Sequence, residues 1–264
     1  MHGNIPKRLQ SNSVKKHVVK RFYRDNYSNR FTSFFVKYKY TDLWIGVDRF
    51  NLEMVDKVYE VLREKYEELL NYGKSNKDFF ESFSPIEIKE FLEDVPDIAI
   101  KMLEASNLAG VGPMASVAGA FAEVVGKYLI EKWDCEEVIV ENGGDIYLNV
   151  HSDIRVGFFA NFESEFNRLA LLLPPGEYGV CTSSGKIGHS ISFGRADATC
   201  VIAKQASIAD AFATKYGNML KSEKDFDKII DFVKEDVDKK QNILGAILIY
   251  GKRLLVYGNV KLSF

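Results

Sequence analysis

Cysteine is scarce: Cys135, Cys181 and Cys200 are the only three in 264 residues, and no C-x-x-C pair occurs. An odd number without that spacing excludes a disulfide framework and a zinc-finger ligand set, and suits a reducing compartment. The six prolines form no Pro/Gly/Ser-rich linker, so one domain over residues 1–264 is expected. No apolar run reaches the ~18 residues of a membrane-spanning helix. The polar, basic start lacks the apolar core of a signal peptide, and a cytoplasmic protein without a membrane partner is expected. Charge of one sign is not in excess either, with 35 basic residues facing 37 acidic ones. That balance argues against a nucleic-acid binder, which normally carries a clear basic surplus.

Locally the balance fails. Between Met1 and Tyr40 the only acid is Asp25, set against ten Lys and Arg. Residues 1–30 read as a basic arm, either simply solvated or facing an anion.

Hydrophobic periodicity orders the rest. Strands are expected over Phe31–Tyr38 and Asp42–Asp48. A helix follows from Asn51, as N-cap, to Gly73, as the residue past its end, with Met54, Val58, Val61, Leu62, Tyr66 and Leu69 on one face. Ser84-Pro85 can open a short helix and Pro96 another, completing a helical segment over residues 51–106. A further helix is expected over Ala115–Lys132. Strands are expected at Val138–Val150 (a hairpin), Arg155–Phe159, Leu169–Leu173, Tyr178–Thr182, His189–Phe193 and Thr199–Ala203. Helices at Ser207–Leu220 and Lys224–Val237 precede closing strands at Ile243–Tyr250 and Leu254–Phe264. Strand-rich segments separated by helices indicate an α+β fold, with mixed or antiparallel sheets packed against helices.

Three stretches can carry chemistry. In Gly110-Val-Gly-Pro-Met114 the glycines permit unusual backbone angles, and Pro113 suits a first helical turn. Free N–H groups at such a helix start favour an anion. The following helix shows a face of small residues: Ala115, Ala118, Gly119, Ala122 and Gly126. Close packing on a sheet explains that face equally well. In Asn142-Gly143-Gly144-Asp145 a two-residue turn at Asn142-Gly143 closes a hairpin. Gly144 is then surplus to the turn and suits the approach of a ligand to the main chain. In Ala206–Leu220, Ser207 and Asp210 have the spacing of a capping box. Asp210 and Thr214, four apart, share a helix face. One carboxylate plus one hydroxyl is the sparse oxygen set that suits Mg²⁺, which keeps waters and borrows substrate phosphate oxygens.

In this order the motifs resemble the ApbE-like superfamily, whose best-known members are FAD:protein FMN transferases. The matching residues are Val117-Ala118-Gly119, Asn142-Gly143-Gly144-Asp145, Thr182-Ser183-Ser184-Gly185, His189, and Ala209-Asp210-Ala211-Phe212-Ala213-Thr214. Tyr40-Thr41-Asp42-Leu43 and Gly112-Pro113-Met114-Ala115 are similar to a divergent, cytoplasmic, uncharacterised branch. The resemblance implies an ApbE-like fold. It implies Mg²⁺ at Asp210 and Thr214, and a nucleotide-like ligand such as FAD along Gly119, Asn142, Gly143, Gly144, Asp145, Ser184 and Gly185. His189 would be the acid/base, and a protein hydroxyl the acceptor. Non-catalytic binding of a flavin or other small anion on the same scaffold is the alternative, and self-association is open. Two departures bear on that choice. The transferases carry Lys where this chain has Ala118, and Asp-Pro is missing after His189.

Overall fold

A computed structural model describes residues 30–87, 95–157, 166, 169–184 and 196–263. The basic arm (apart from Arg30), Gly185, the His189–Phe193 strand and most of the helix expected after Ser84-Pro85 lie outside these residues.

Eight strands form one antiparallel sheet in the order β1-β2-β3-β4-β7-β8-β9-β10. They are β1 (Thr32–Tyr38), β2 (Thr41–Val47), β3 (Val138–Asn142), β4 (Asp145–Val150), β7 (Gly176–Ser183), β8 (Ala198–Ala203), β9 (Ile243–Tyr250) and β10 (Arg253–Gly258). A second sheet holds β11 (Leu262–Ser263), β6 (Ala170–Leu173) and β5 (Ile154–Gly157). The single closing strand expected over Leu254–Phe264 is thus two: after Gly258, at φ 91°, the chain leaves the large sheet and joins the small one.

The helices are α1 (Glu53–Ser75), α2 (Lys77–Glu81), α3 (Asp97–Ala109), α4 (Val117–Trp133), α5 (Ala206–Met219) and α6 (Asp225–Lys239). Side chains alternate across a strand, and the large sheet uses both faces. Val138, Val140, Tyr147, Val201 and Leu248 pack with the helices. Ile139, Ile146, Leu148, Ile202 and Ile247 pack with the small sheet. The result is three layers: helices, large sheet, small sheet. Central strands β3 and β8 are buried along their whole length, which explains why apolar residues fall on both faces at Val138–Val140 and Cys200–Ala203.

Local chemistry accounts for most element ends. Asn51 caps α1, its Oδ1 accepting the Glu53 N–H at 2.9 Å. Gly73 does not end that helix, which runs on to Ser75. Its missing side chain instead lets the Phe80 ring of α2 lie against α1, where a Cβ would collide with it. Gly110 ends α3 in the left-handed conformation, φ 81°, its N–H returning to the Ser106 carbonyl. Gly112 is needed for space rather than for an unusual angle: φ is −76° and a Cβ would collide with the Ser82 carbonyl. Pro113–Ser116 form a 3₁₀ turn, so the regular helix starts at Val117 rather than Ala115.

The hairpin register corrects the expected turn. Asn142 pairs with Asp145, so Gly143 and Gly144 are the two central residues. Both have positive φ, 71° and 118°, as a type I′ turn demands. Gly144 is therefore required by the turn. A Cβ at Gly143 would meet no atom within 4 Å. Gly143→Ala should thus cost stability through backbone strain alone, about 1 kcal/mol, read as a lowered urea midpoint with an unchanged slope.

Candidate functional site

Strand parity aims two polar residues of the hairpin at the helix layer. Tyr147 faces the helices, so Asp145, two residues earlier on β4, points the same way. Asn142, opposite Asp145, does too, and its Nδ2 donates to the Ala118 carbonyl at 3.1 Å. On the other side Asp145 pairs with Cys181 of β7.

Above this corner α4 and α5 cross closely. Gly119 permits it, because a Cβ there would collide with the Ala206 carbonyl oxygen and crowd the Asp210 Cβ. Gly126 lies against the Tyr147 ring in the same way. At Gly119 and Gly126 the small face of α4 is therefore filled by protein, as close packing requires. The Gly119 N–H donates to Asp210 Oδ2 at 2.9 Å, and the Ala118 N–H also bonds to this carboxylate. The anion expected at this helix start is thus supplied internally, by a side chain 91 residues further on.

The capping box is not formed. Ser207 lies inside α5, whose cap residue Gln205 makes no side-chain cap bond. The first N–H groups of α5, from Ala206 and Ser207, donate instead to Glu123 Oε2 at 3.1 and 3.5 Å. Sequence reasoning passed over Glu123. The available signal was one acid in the otherwise apolar run Ala-Gly-Ala-Phe-Ala-Glu-Val-Val-Gly, Ala118–Gly126.

Asp210 is 8% exposed. Burial pushes its carboxyl up to about 7, against the pull of the Gly119 and Ala118 N–H groups. Asp145 is half-buried as a residue, but its carboxyl turns inward. Burial and then the Asp210 charge hold it well above the usual carboxylate range, while the Cys181 thiol and the Thr182 N–H pull it down. The two acids are neighbours, and among the described residues the groups acting most on them include no Lys, Arg or His. Like charges at close range cannot both ionise without a counter-charge. Thr214, one turn beyond Asp210, is half-buried, and its hydroxyl reaches the Ala115 carbonyl at 3.5 Å.

Contacts tie together four of the predicted residues: Gly119 bonds to Asp210, Asn142 bonds to Ala118 beside Gly119, and Asp145 lies near Asp210. Gly143 and Gly144 join Asn142 to Asp145, and Thr214 lies one turn beyond Asp210. Ser184, half-buried, follows the end of β7. Gly185 and His189 lie outside the described residues. Gly143 is exposed with open space around it, a Cβ at half-buried Gly144 would meet only the Thr182 carbonyl oxygen at 3.9 Å, and Gly119 is buried between the helices.

Among the described residues no group of three or more His, Cys, Asp or Glu could hold a metal ion. Two inward carboxylates and a hydroxyl fit Mg²⁺ nonetheless, since that ion binds through one or two carboxylates plus substrate phosphates and water. The buried acidic pair, whose main influences among the described residues include no basic group, supports the fit. Among the described residues no single helix is long and apolar enough to cross a membrane.

The family model described as AbpE bacteria matches residues 24–250. A UPF0280 protein of Methanococcus maripaludis strain C7 is 38% identical over 212 residues, covering 79% of this chain and 81% of its own. A UPF0280 protein of Archaeoglobus fulgidus is 37% identical, covering 77% and 78%. Among solved structures, the flavin transferase ApbE from Vibrio cholerae superposes with a TM-score of 0.53 at 14% identity, covering 86% of this chain and 96% of that one. The ApbE protein from Thermotoga maritima gives 0.54 at 13% identity, with the same coverage. At these identities the structural likeness establishes an ApbE-type fold.

Proposed function

We propose a function from the premise that the chain belongs to the family described as AbpE bacteria: it is a Mg²⁺-dependent flavin-nucleotide enzyme. It binds FAD beside the Gly143-Gly144 turn and transfers FMN to a protein hydroxyl, or to water. The observation that carries this reading is the acidic pair Asp145–Asp210, buried beside the glycine turn and, among the described residues, with no basic group among its main influences.

Asp210, Thr214 and Asp145 would hold the cation. When bound, Mg²⁺ neutralises diphosphate charge that builds as AMP departs. The chain's own residues position and shield. Main chain at Gly143 and Gly144 lets a ligand come close, and Ser184 follows the end of β7, the strand beside β4. The acceptor oxygen attacks the FMN phosphorus and the bond from that phosphorus to the bridging oxygen breaks. The electron pair leaves with AMP, and His189 takes the hydroxyl proton.

One observation favours the second reading, a binder without turnover. Ala118 stands where the transferases carry Lys, and its main chain touches both Asp210 and Asn142. A charge-assisted contact worth roughly 1.5–3 kcal/mol is lost there.

Purified protein incubated with FAD and Mg²⁺ should release AMP, and EDTA should stop it. Saturable FAD binding with no AMP, with or without protein acceptors, selects the binder. No FAD binding in either condition removes both. His189→Ala should abolish AMP release while leaving the FAD affinity within about threefold, measured by flavin fluorescence quenching, because proton transfer contributes to rate rather than to ground-state binding.

A further inference from the structure

We propose that Glu123 is a positioning residue for the Asp145–Asp210 corner, acting through α5 and touching no ligand. This rests on the cation-site reading above.

The observation is a reciprocal arrangement between two helices. An α-helix leaves its first N–H groups without partners inside the helix. Here each helix supplies the other's missing acceptor. Asp210 of α5 takes the Ala118 and Gly119 N–H groups at the start of α4. Glu123 of α4 takes the Ala206 and Ser207 N–H groups at the start of α5, and the Ser207 hydroxyl at 3.4 Å. Gly119 and Glu123 are four apart on α4, and Ala206 and Asp210 are four apart on α5. Each pair therefore lies on one face, and the helices are clasped at two points one turn apart.

The clasp is rigid by construction. Glu123 is fully buried, at 0% exposure. Lys101 at 3.1 Å and Lys127 at 2.9 Å keep it charged. Burial works against that charge, but the two ammonium groups outweigh it and hold the carboxyl below its usual range. Lys127 is in turn 3.6 Å from Glu177, whose Oε1 accepts from the Tyr147 hydroxyl at 3.1 Å. A carboxylate fixed from four directions at the first turn of α5 sets the height and rotation of that helix. Ala206, Asp210 and Thr214 follow at steps of four, so a shift at the first turn carries both candidate ligands with it. Gly119 leaves no slack, because a side chain there would strike Ala206.

The test uses the full-length protein and Mn²⁺ as probe, without flavin. Glu123→Gln keeps one acceptor oxygen and loses the charge; Glu123→Asp keeps the charge one methylene short. Both should fold with lowered Tm. Mn²⁺ affinity measured by calorimetry on the folded protein should fall about 10–100-fold for Glu123→Gln, the usual effect of removing a group that orients a metal ligand. Glu123→Asp should recover part of it. Val58→Ala opens a cavity in the core at α1, where the side chain has no polar group to offer the clasp; it is expected to lower Tm to a similar degree and should keep wild-type affinity. Wild-type affinity in Glu123→Gln would overturn the proposal.

If the wild type takes up no Mn²⁺, the cation reading fails separately, and the clasp is still read by hydrogen exchange at the Gly119 amide. Glu123 does not touch that amide, which Asp210 holds. Its exchange should quicken about tenfold or more in Glu123→Gln relative to Val58→Ala; equal protection would overturn the positioning role.

Discussion

Asp210→Ala should lower Mg²⁺-dependent AMP release from FAD by more than about 100-fold, beyond the range seen when only an orienting partner is lost. Two effects add. The change removes a carboxylate from the proposed cation set. It also removes the acceptor for the Ala118 and Gly119 N–H groups, loosening α4 where it crosses α5. Asp210→Asn separates them, since its amide oxygen can still accept a hydrogen bond but binds a divalent cation poorly. It should fold like the wild type and be nearly as inactive. Calorimetry with Mg²⁺ alone and an AMP assay check both variants. Near-wild-type turnover in Asp210→Asn would remove this side chain from the chemistry.

Stability of the cation-free protein should fall as pH rises from about 4 to about 8, and Asp210→Asn should flatten that fall. Both acids of the pair have raised proton affinity in the folded state. An unfolded Asp ionises near pH ~3.9. Between there and the folded-state value the native protein holds protons that the unfolded chain has released. Stability therefore decreases with rising pH across this window, and the loss is complete above the folded value. A carboxyl moved from about 3.9 to about 7 accounts for on the order of 4 kcal/mol. Glu123 and Glu137 have lowered values and act oppositely, adding stability above the unfolded pKa that is lost on acidification. Comparing wild type with Asp210→Asn cancels those contributions. Urea unfolding in EDTA at pH 5 and pH 8 measures the difference, and Mg²⁺ should restore wild-type stability at pH 8 far more than at pH 5. An equal pH response in the two proteins would mean that the acids are not the cause.

Much of the fold was legible because its elements follow local rules. The spacing of Met54, Val58, Leu62 and Leu69 describes the buried face of α1, and Val36 and Leu43 pair in the first hairpin as their alternation suggests. Failures came where a distant residue overrides a local signal. Ser207 and Asp210 have the spacing of a cap, but Glu123, on another helix, does the capping. Gly73 reads as a helix stop, yet it serves the Phe80 ring. Gly144 reads as spare until the Asn142–Asp145 pair places it inside the turn. For the site, the motifs point to the residues that come together, and alternation from Tyr147 already puts Asp145 on the helix side. That Asp145 and Asp210 perturb one another is a fact of packing that no spacing on one element contains.

Strands β3 and β8, buried on both faces, lack the pattern of wet and dry sides that normally forbids a slipped ladder. Something else must hold the phase of the central sheet, and at β3–β4 the two-residue connection between Asn142 and Asp145 does so. One residue inserted there would leave a sheet still oily on both sides. It would also rotate the carboxylate away from Cys181 and toward the small sheet, so the length of this turn sets the chemistry as much as the shape.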